Sequence, residues 1–195
     1  MGVRSWRFAA LASLVAPIWL ILAATPASAQ YEHIQSYHVS ITVEHDGTLA
    51  IDERIQYDFG PVPHHGIFRT IPVVYRYDSK QNRVYLLHLD HVTATGGASA
   101  NVELSRNGAD EVIKIGDKDE TVTGVHTYDI AYRVEGALNA FPDHDELYWN
   151  AIGDEWPVSI SDASVRVTAP ADIQRVACYA GPSGSTIPCD GSTAR

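Results

Sequence analysis

Tyr37-His38-Val39-Ser40-Ile41-Thr42-Val43, followed by Asp46-Gly47 and then by Leu49-Ala50-Ile51-Asp52-Glu53-Arg54-Ile55-Gln56-Tyr57-Asp58-Phe59, is a β-hairpin written in residue types. Tyr37, Val39, Ile41 and Val43 alternate with polar residues, the period of a strand with one buried face. Asp46-Gly47 supplies the tight turn, because a two-residue hairpin loop needs positive φ. The second arm puts Leu49, Ile51, Ile55, Tyr57 and Phe59 on one face, with Glu53 among them.

The same grammar continues along the chain. Asn107-Gly108 separates Val102–Arg106 from Glu111–Ile115, a second hairpin. His126, Tyr128, Ile130, Tyr132 and Val134 alternate with Thr127, Asp129, Ala131, Arg133 and Glu135. Val84, Leu86 and Val92 share one face of another segment, and Tyr85, Leu87 and Leu89 the other, so that strand is expected to be covered on both sides. Val158 and Ile160, then Val165 and Val167, mark late strands that end at Pro170. The one helical signal is a short turn at Pro142-Asp143-His144-Asp145-Glu146, where proline and acids suit a first turn. The expected fold is all-β: an antiparallel β-sandwich, roughly immunoglobulin-like.

The N-terminus reads differently. Arg4 and Arg7 precede an apolar run, Phe8 to Ala24, and Ala27-Ser28-Ala29 follows as a small-residue cleavage site. That order is a secretory signal. Residues 1–29 are therefore expected to be removed, leaving residues 30–195 as a single extracytoplasmic domain. A transmembrane anchor is the alternative, but the run has 17 residues and is broken by Pro17.

Composition excludes several functions. The chain has 195 residues, with 14 Lys+Arg against 24 Asp+Glu and a net charge of -10. Nucleic acid is not an expected partner, since phosphate recognition needs clustered positive charge. Two cysteines cannot build a Cys-rich zinc site. Cys178 and Cys189 bracket a Gly-Pro-Ser segment and, in an exported chain, are expected to form a disulfide. No cofactor or metal is expected. His64 and His65 are adjacent and would face opposite ways on an extended segment. The acids at 143–146 and 117–120 do not match a calcium loop. There is no G-x-S-x-G.

Two charges fall where apolar residues belong. Glu53 interrupts the Leu49/Ile51/Ile55 face, and Arg69 sits between Ile67 and Ile71. Burying either alone is prohibitive, so they are expected to pair on neighbouring strands. A catalytic carboxylate with an orienting arginine is one reading. A structural ion pair that fixes strand register is the reading taken, because no third catalytic group is identifiable. Tyr148, Trp149 and Trp156 form an aromatic group. It is either a binding surface for a sugar or partner, or a core plug.

Taken together, Ile51-Asp52-Glu53-Arg54-Ile55, Gly66-Ile67-Phe68-Arg69-Thr70-Ile71-Pro72, Tyr128-Asp129-Ile130-Ala131-Tyr132 and Glu146-Leu147-Tyr148-Trp149-Asn150 with Gly153 and Trp156-Pro157-Val158-Ser159-Ile160 carry a resemblance. The chain resembles, over about residues 31–190, the N-terminal domain of the bacterial predicted membrane proteins known as domain of unknown function 2207. The resemblance implies a signal sequence, an extracytoplasmic β-domain, and membrane association through helices beyond this chain. It implies no activity. The expected function is thus a non-catalytic binding module of the cell envelope, at the periplasm or cell surface, with an unidentified envelope partner or ligand. An envelope carbohydrate hydrolase using paired carboxylates and a structural spacer are the alternatives.

Overall fold

Turn chemistry sets the first hairpin. Gly47 has a φ of 84°, and Asp46 Oδ1 accepts the Thr48 N–H at 2.9 Å, so the chain reverses where Asp-Gly stands. The computed structural model describes residues 31–76, 79–182 and 184–193; the signal segment lies outside the described residues. The strands are β1 (His33–Val43), β2 (Leu49–Asp58), β3 (Gly66–Pro72), β4 (Val74–Arg76), β5 (Asn82–Val84), β6 (Leu86–Ala94), β7 (Val102–Asn107), β8 (Asp110–Gly116), β9 (Val125–Glu135), β10 (Leu138–Ala140), β11 (Asp145–Leu147), β12 (Ala163–Thr168), β13 (Tyr179–Ala180) and β14 (Ile187–Pro188).

These build a β-sandwich whose strand pairs are antiparallel except β1 with β12. A five-stranded sheet in the order β12-β1-β2-β9-β6 faces a three-stranded sheet in the order β3-β8-β7. In the larger sheet, Ile41, Ile51 and Tyr132 stand in line across β1, β2 and β9, as do Tyr37, Ile55 and Tyr128. In the smaller one Ile67 stands beside Ile115, and Arg69 beside Ile113. These residues belong to one buried apolar cluster, apart from Arg69, which lies fully inside it. The hairpins β4–β5 and β10–β11 hang from the sandwich, and β13–β14 forms a separate ribbon.

Three expectations are corrected. The strand over Leu86–Ala94 is not covered on both sides: Leu86 is 53% exposed, and Val84, which belongs to β5 instead, is 49% exposed. β6 is a sheet edge with an open outer face, and a register shift between Leu89 and His91 turns Val92 inward with Leu87 and Leu89. Residues 142–146 form no helical turn. Pairing of Leu138 with Leu147 and of Ala140 with Asp145 draws the segment into the β10–β11 hairpin, which the Phe141 N–H closes on the His144 carbonyl. Val158 and Ile160 make no strand; Ile160 forms only an isolated bridge to Ile34. The following strand, β12, does form, but it pairs with β1 in parallel. The long segment 148–162 carries the chain back along the sandwich first, which a parallel partner requires.

Candidate functional site

The inward charges meet at the centre of the sandwich. Glu53 projects from β2 in the larger sheet and Arg69 from β3 in the smaller one, so the pair crosses between sheets rather than lying on paired strands. Arg69 Nε is 2.8 Å from Glu53 Oε2, and Nη2 is 2.9 Å from Oε1, a bidentate fork. Both residues are 1% exposed. Two phenols complete the carboxylate's shell. Tyr37 donates to Oε2 at 2.5 Å and Tyr132 to Oε1 at 2.6 Å. All four acceptor positions of the carboxylate are thus occupied.

The guanidinium places four of its five N–H groups, two of them on the carboxylate. Nη1 donates to the Thr70 carbonyl at 2.7 Å, and Nη2 also to the Ala151 carbonyl at 3.1 Å. Its carbon lies 5.8 Å from the centre of the Tyr37 ring. Burial alone would lower the affinity of Arg69 for its proton, but its neighbours, the Glu53 carboxylate foremost with Tyr37 and Tyr132, together outweigh it and hold the group well above the ordinary range. Burial first, and the adjacent carboxylate with it, raises the Tyr37 and Tyr132 phenols well above theirs. Both therefore stay protonated and donate.

The segment after Trp149 closes this centre. Gly153 has a φ of 82°, and a Cβ there would stand 2.6 Å from Arg69 Nη1. The backbone comes that close only because the position has no side chain. Asn150 Oδ1 accepts the Gly153 N–H at 3.1 Å and fixes the turn. Trp156 donates to the Ile152 carbonyl at 2.9 Å and meets the Tyr37 ring edge-on at 5.7 Å. The aromatic group thus divides. Trp149 and Trp156 are half-buried against the core, with Trp149 6.0 Å from the Tyr85 ring, while Tyr148 is 65% exposed.

The other candidates separate. His64 is 3.5 Å from Glu32, whereas His65 Nδ1 faces the Asp117 and Glu120 carbonyls. His144 stacks on Phe141. Among the described residues no group of His, Cys, Asp or Glu is placed to hold a metal ion. Cys178 and Cys189 form a disulfide with Cα atoms 5.4 Å apart. Two depressions of about 440 and 530 Å³ lie at the β1–β2 turn, beside Asp46, Thr48 and Glu135, and Glu53 lines neither. Sequence reasoning missed Tyr37 and Tyr132 as polar partners. Both count as apolar in an alternation pattern; the available signal was a hydroxyl-bearing residue on the same inward face as a lone charge.

The fold and its centre define a class: a small β-sandwich domain whose two sheets are joined by a sealed ion pair. The chain belongs to the predicted membrane protein (DUF2207) N-terminal domain family, which matches residues 33–193. No curated protein matches it. Among solved structures it is similar to an M1 zinc metallopeptidase from Deinococcus radiodurans, at 12% identity and a TM-score of 0.42, covering 77% of this chain and 35% of that one. It is also similar to native leukotriene A4 hydrolase from Saccharomyces cerevisiae, at 10% identity and a TM-score of 0.36, covering 53% of this chain and 15% of that one. The chain spans about a third of the length of the first solved structures it matches. Likeness at this level carries nothing about activity. Among the described residues no helix is long and apolar enough to cross a membrane.

Proposed function

We propose that residues 30–195 are a single exported domain that serves its membrane protein as a non-catalytic interaction module at the cell envelope. The observation that supports this most is the closure of the charged centre. Glu53 has a protein donor on each acceptor position and is 1% exposed. A general acid, base or nucleophile must reach its substrate, and this carboxylate reaches only protein. The other buried carboxyl, Asp58, accepts the Gly60 N–H at 2.9 Å and the Gln35 amide at 3.2 Å. It stands five residues along the same strand, about 16 Å away. Glycosidase carboxylates lie within about 10 Å of each other, so Glu53 and Asp58 do not make such a pair.

The contact face of the module is Tyr148. It is exposed beside the stack of Tyr75, Tyr85 and Trp149, where rings 4.9 and 6.0 Å apart give it a firm base. The test has two parts, both in the native host. Mass spectrometry of the processed protein should find Gln30 at its N-terminus, and a periplasmic reporter fused after residue 193 should be active. A photo-crosslinking residue at Tyr148 should give a defined adduct, while one at Thr127 on the outer sheet face should not. An intact Met1 start with an inactive reporter overturns the export reading. Identical crosslinking from both positions overturns the interaction reading.

A further inference from the structure

The last part of the chain differs from the rest in charge. Residues 30–162 carry 22 acids against 9 basic residues, whereas 163–195 carry only Asp172 and Asp190 against three arginines. Between Arg175 and Asp190 lie 14 residues, Val176 to Cys189, with no Asp, Glu, Lys, Arg or His. This stretch carries the β13–β14 ribbon, closed by the Cys178–Cys189 disulfide and by the Cys189 N–H on the Cys178 carbonyl at 3.1 Å. Its apolar residues are open: Val176 is 47% exposed, Tyr179 63% and Ile187 65%. Among the described residues, those packed on the core end at Ile160.

We propose that this ribbon is a membrane-interface contact, inserted into the phospholipid headgroup boundary next to the domain. Three features favour a bilayer over a protein. First, Tyr179 pairs with Pro188 and Ala180 with Ile187, so apolar side chains project from both faces. A flat protein partner covers one face; a surrounding apolar medium covers both. Second, the ribbon satisfies polar groups internally. Ser185 Oγ donates to the Ala180 carbonyl at 2.7 Å and accepts the Ile187 N–H at 3.2 Å, which lowers the cost of leaving water. Third, charge favours this orientation. The acidic body is repelled by an anionic leaflet, and the near-neutral end is not. A two-stranded ribbon still has open backbone edges, so it rests at the boundary and does not enter the hydrocarbon. Tyrosine is at home at that depth.

The inference rests on the reading of an exported domain of a membrane protein. Its test uses the oxidised mature chain and co-sedimentation with phosphatidylcholine vesicles. Tyr179→Asp with Ile187→Asp should lower partition about tenfold or more, given the apolar area those two side chains would otherwise withdraw from water. Val84→Asp with Leu86→Asp, which alters comparably exposed residues on the body, should leave it unchanged. Equal partition of wild type and ribbon variant, at any level including none, overturns the inference, as does an equal loss from the body variant. The urea midpoint verifies folding, and Tyr179→Ser with Ile187→Ser replaces the aspartates if they disturb it. The export reporter separates the two claims: an inactive reporter overturns the functional reading and leaves the partition result to stand on its own.

Discussion

Removing one partner of the Glu53–Arg69 pair leaves the other charged at about 1% exposure. Breaking a buried pair in this way costs about 3–5 kcal/mol. The structure predicts an order within that range. Arg69→Met leaves Glu53 with the Tyr37 and Tyr132 hydroxyls, two donors of four, so the cost falls at the lower end. Glu53→Leu leaves the guanidinium with two backbone carbonyls and no anion, and also strips both phenols of their acceptor, so the cost falls at the upper end. The double variant strands no charge. It should be more stable than the sum of the single losses implies, with a coupling of about 2–3 kcal/mol, in the upper part of the range for residues in contact. Urea denaturation followed by Trp149 and Trp156 fluorescence reads all three. A small domain has about 5–15 kcal/mol in total, so the single variants should remain measurable. Additivity to within about 0.5 kcal/mol would refute the reasoning, as would Arg69→Met being the costlier change.

Three further outcomes follow from the same geometry. Stability should fall steeply above pH ~10: folded Tyr37 and Tyr132 keep protons that the unfolded chain releases there, so stability is full below that pH and declines as it rises. Each such phenol adds a slope of about 1.4 kcal/mol per pH unit, and burial raises Tyr57, Tyr75, Tyr85 and Tyr128 in the same direction; Tyr132→Phe should lower the slope by about one such increment, measured by urea midpoints from pH 9 upward, and an unchanged slope would count against burial of that phenol. Gly153→Ala should cost roughly 2 kcal/mol or more, because its Cβ meets Arg69 Nη1 at 2.6 Å on a backbone with positive φ; Gly97→Ala, also at positive φ but with nothing within 4 Å, should cost less in the same denaturation assay. Reducing the Cys178–Cys189 disulfide should open the ribbon to protease while leaving the fluorescence midpoint of the body in place, and a loss of the full ~3 kcal/mol from the body would contradict the separateness of the ribbon.

Much of the sandwich was legible because its rule is local. Alternation with period two shows which face of β1, β2 and β9 is buried, and Asp46-Gly47 and Asn107-Gly108 mark turns by backbone chemistry alone. What was not legible depends on position in the sheet. The chain does not state that β6 is an edge or that Val84 belongs to a separate hairpin, so Leu86 and Val84 read as core residues when they face water. Nor does it state that a bulge after Leu89 turns Val92 over. Pro142 and the acids after it have helix-start chemistry, but cross-strand pairing of Leu138 with Leu147 prevails over it. At the centre, Glu53 and Arg69 were visible as charges out of place. Their route to each other was not, because facing sheets bring together residues that strand pairing does not.

That route bears on what the ion pair does for the fold. β3 has seven residues and pairs with β8, and the smaller sheet holds three strands against five. Apolar contacts alone would hold such a sheet in place without strongly fixing how it slides over its neighbour, since hydrophobic burial is non-directional. The fork from Arg69 to Glu53 is directional at both ends, and the two phenols arrive from β1 and β9 on either side of β2. A one-residue slip of β3 against β8 would turn Arg69 to the outer face and leave Glu53 buried with its phenols only. The penalty for that slip is the same few kcal/mol that a single substitution costs. The Ala151 carbonyl and the backbone at Gly153 reach the same guanidinium, so the segment that carries Tyr148 takes its position from the pair as well. The charged centre thereby sets where the exposed aromatic stands.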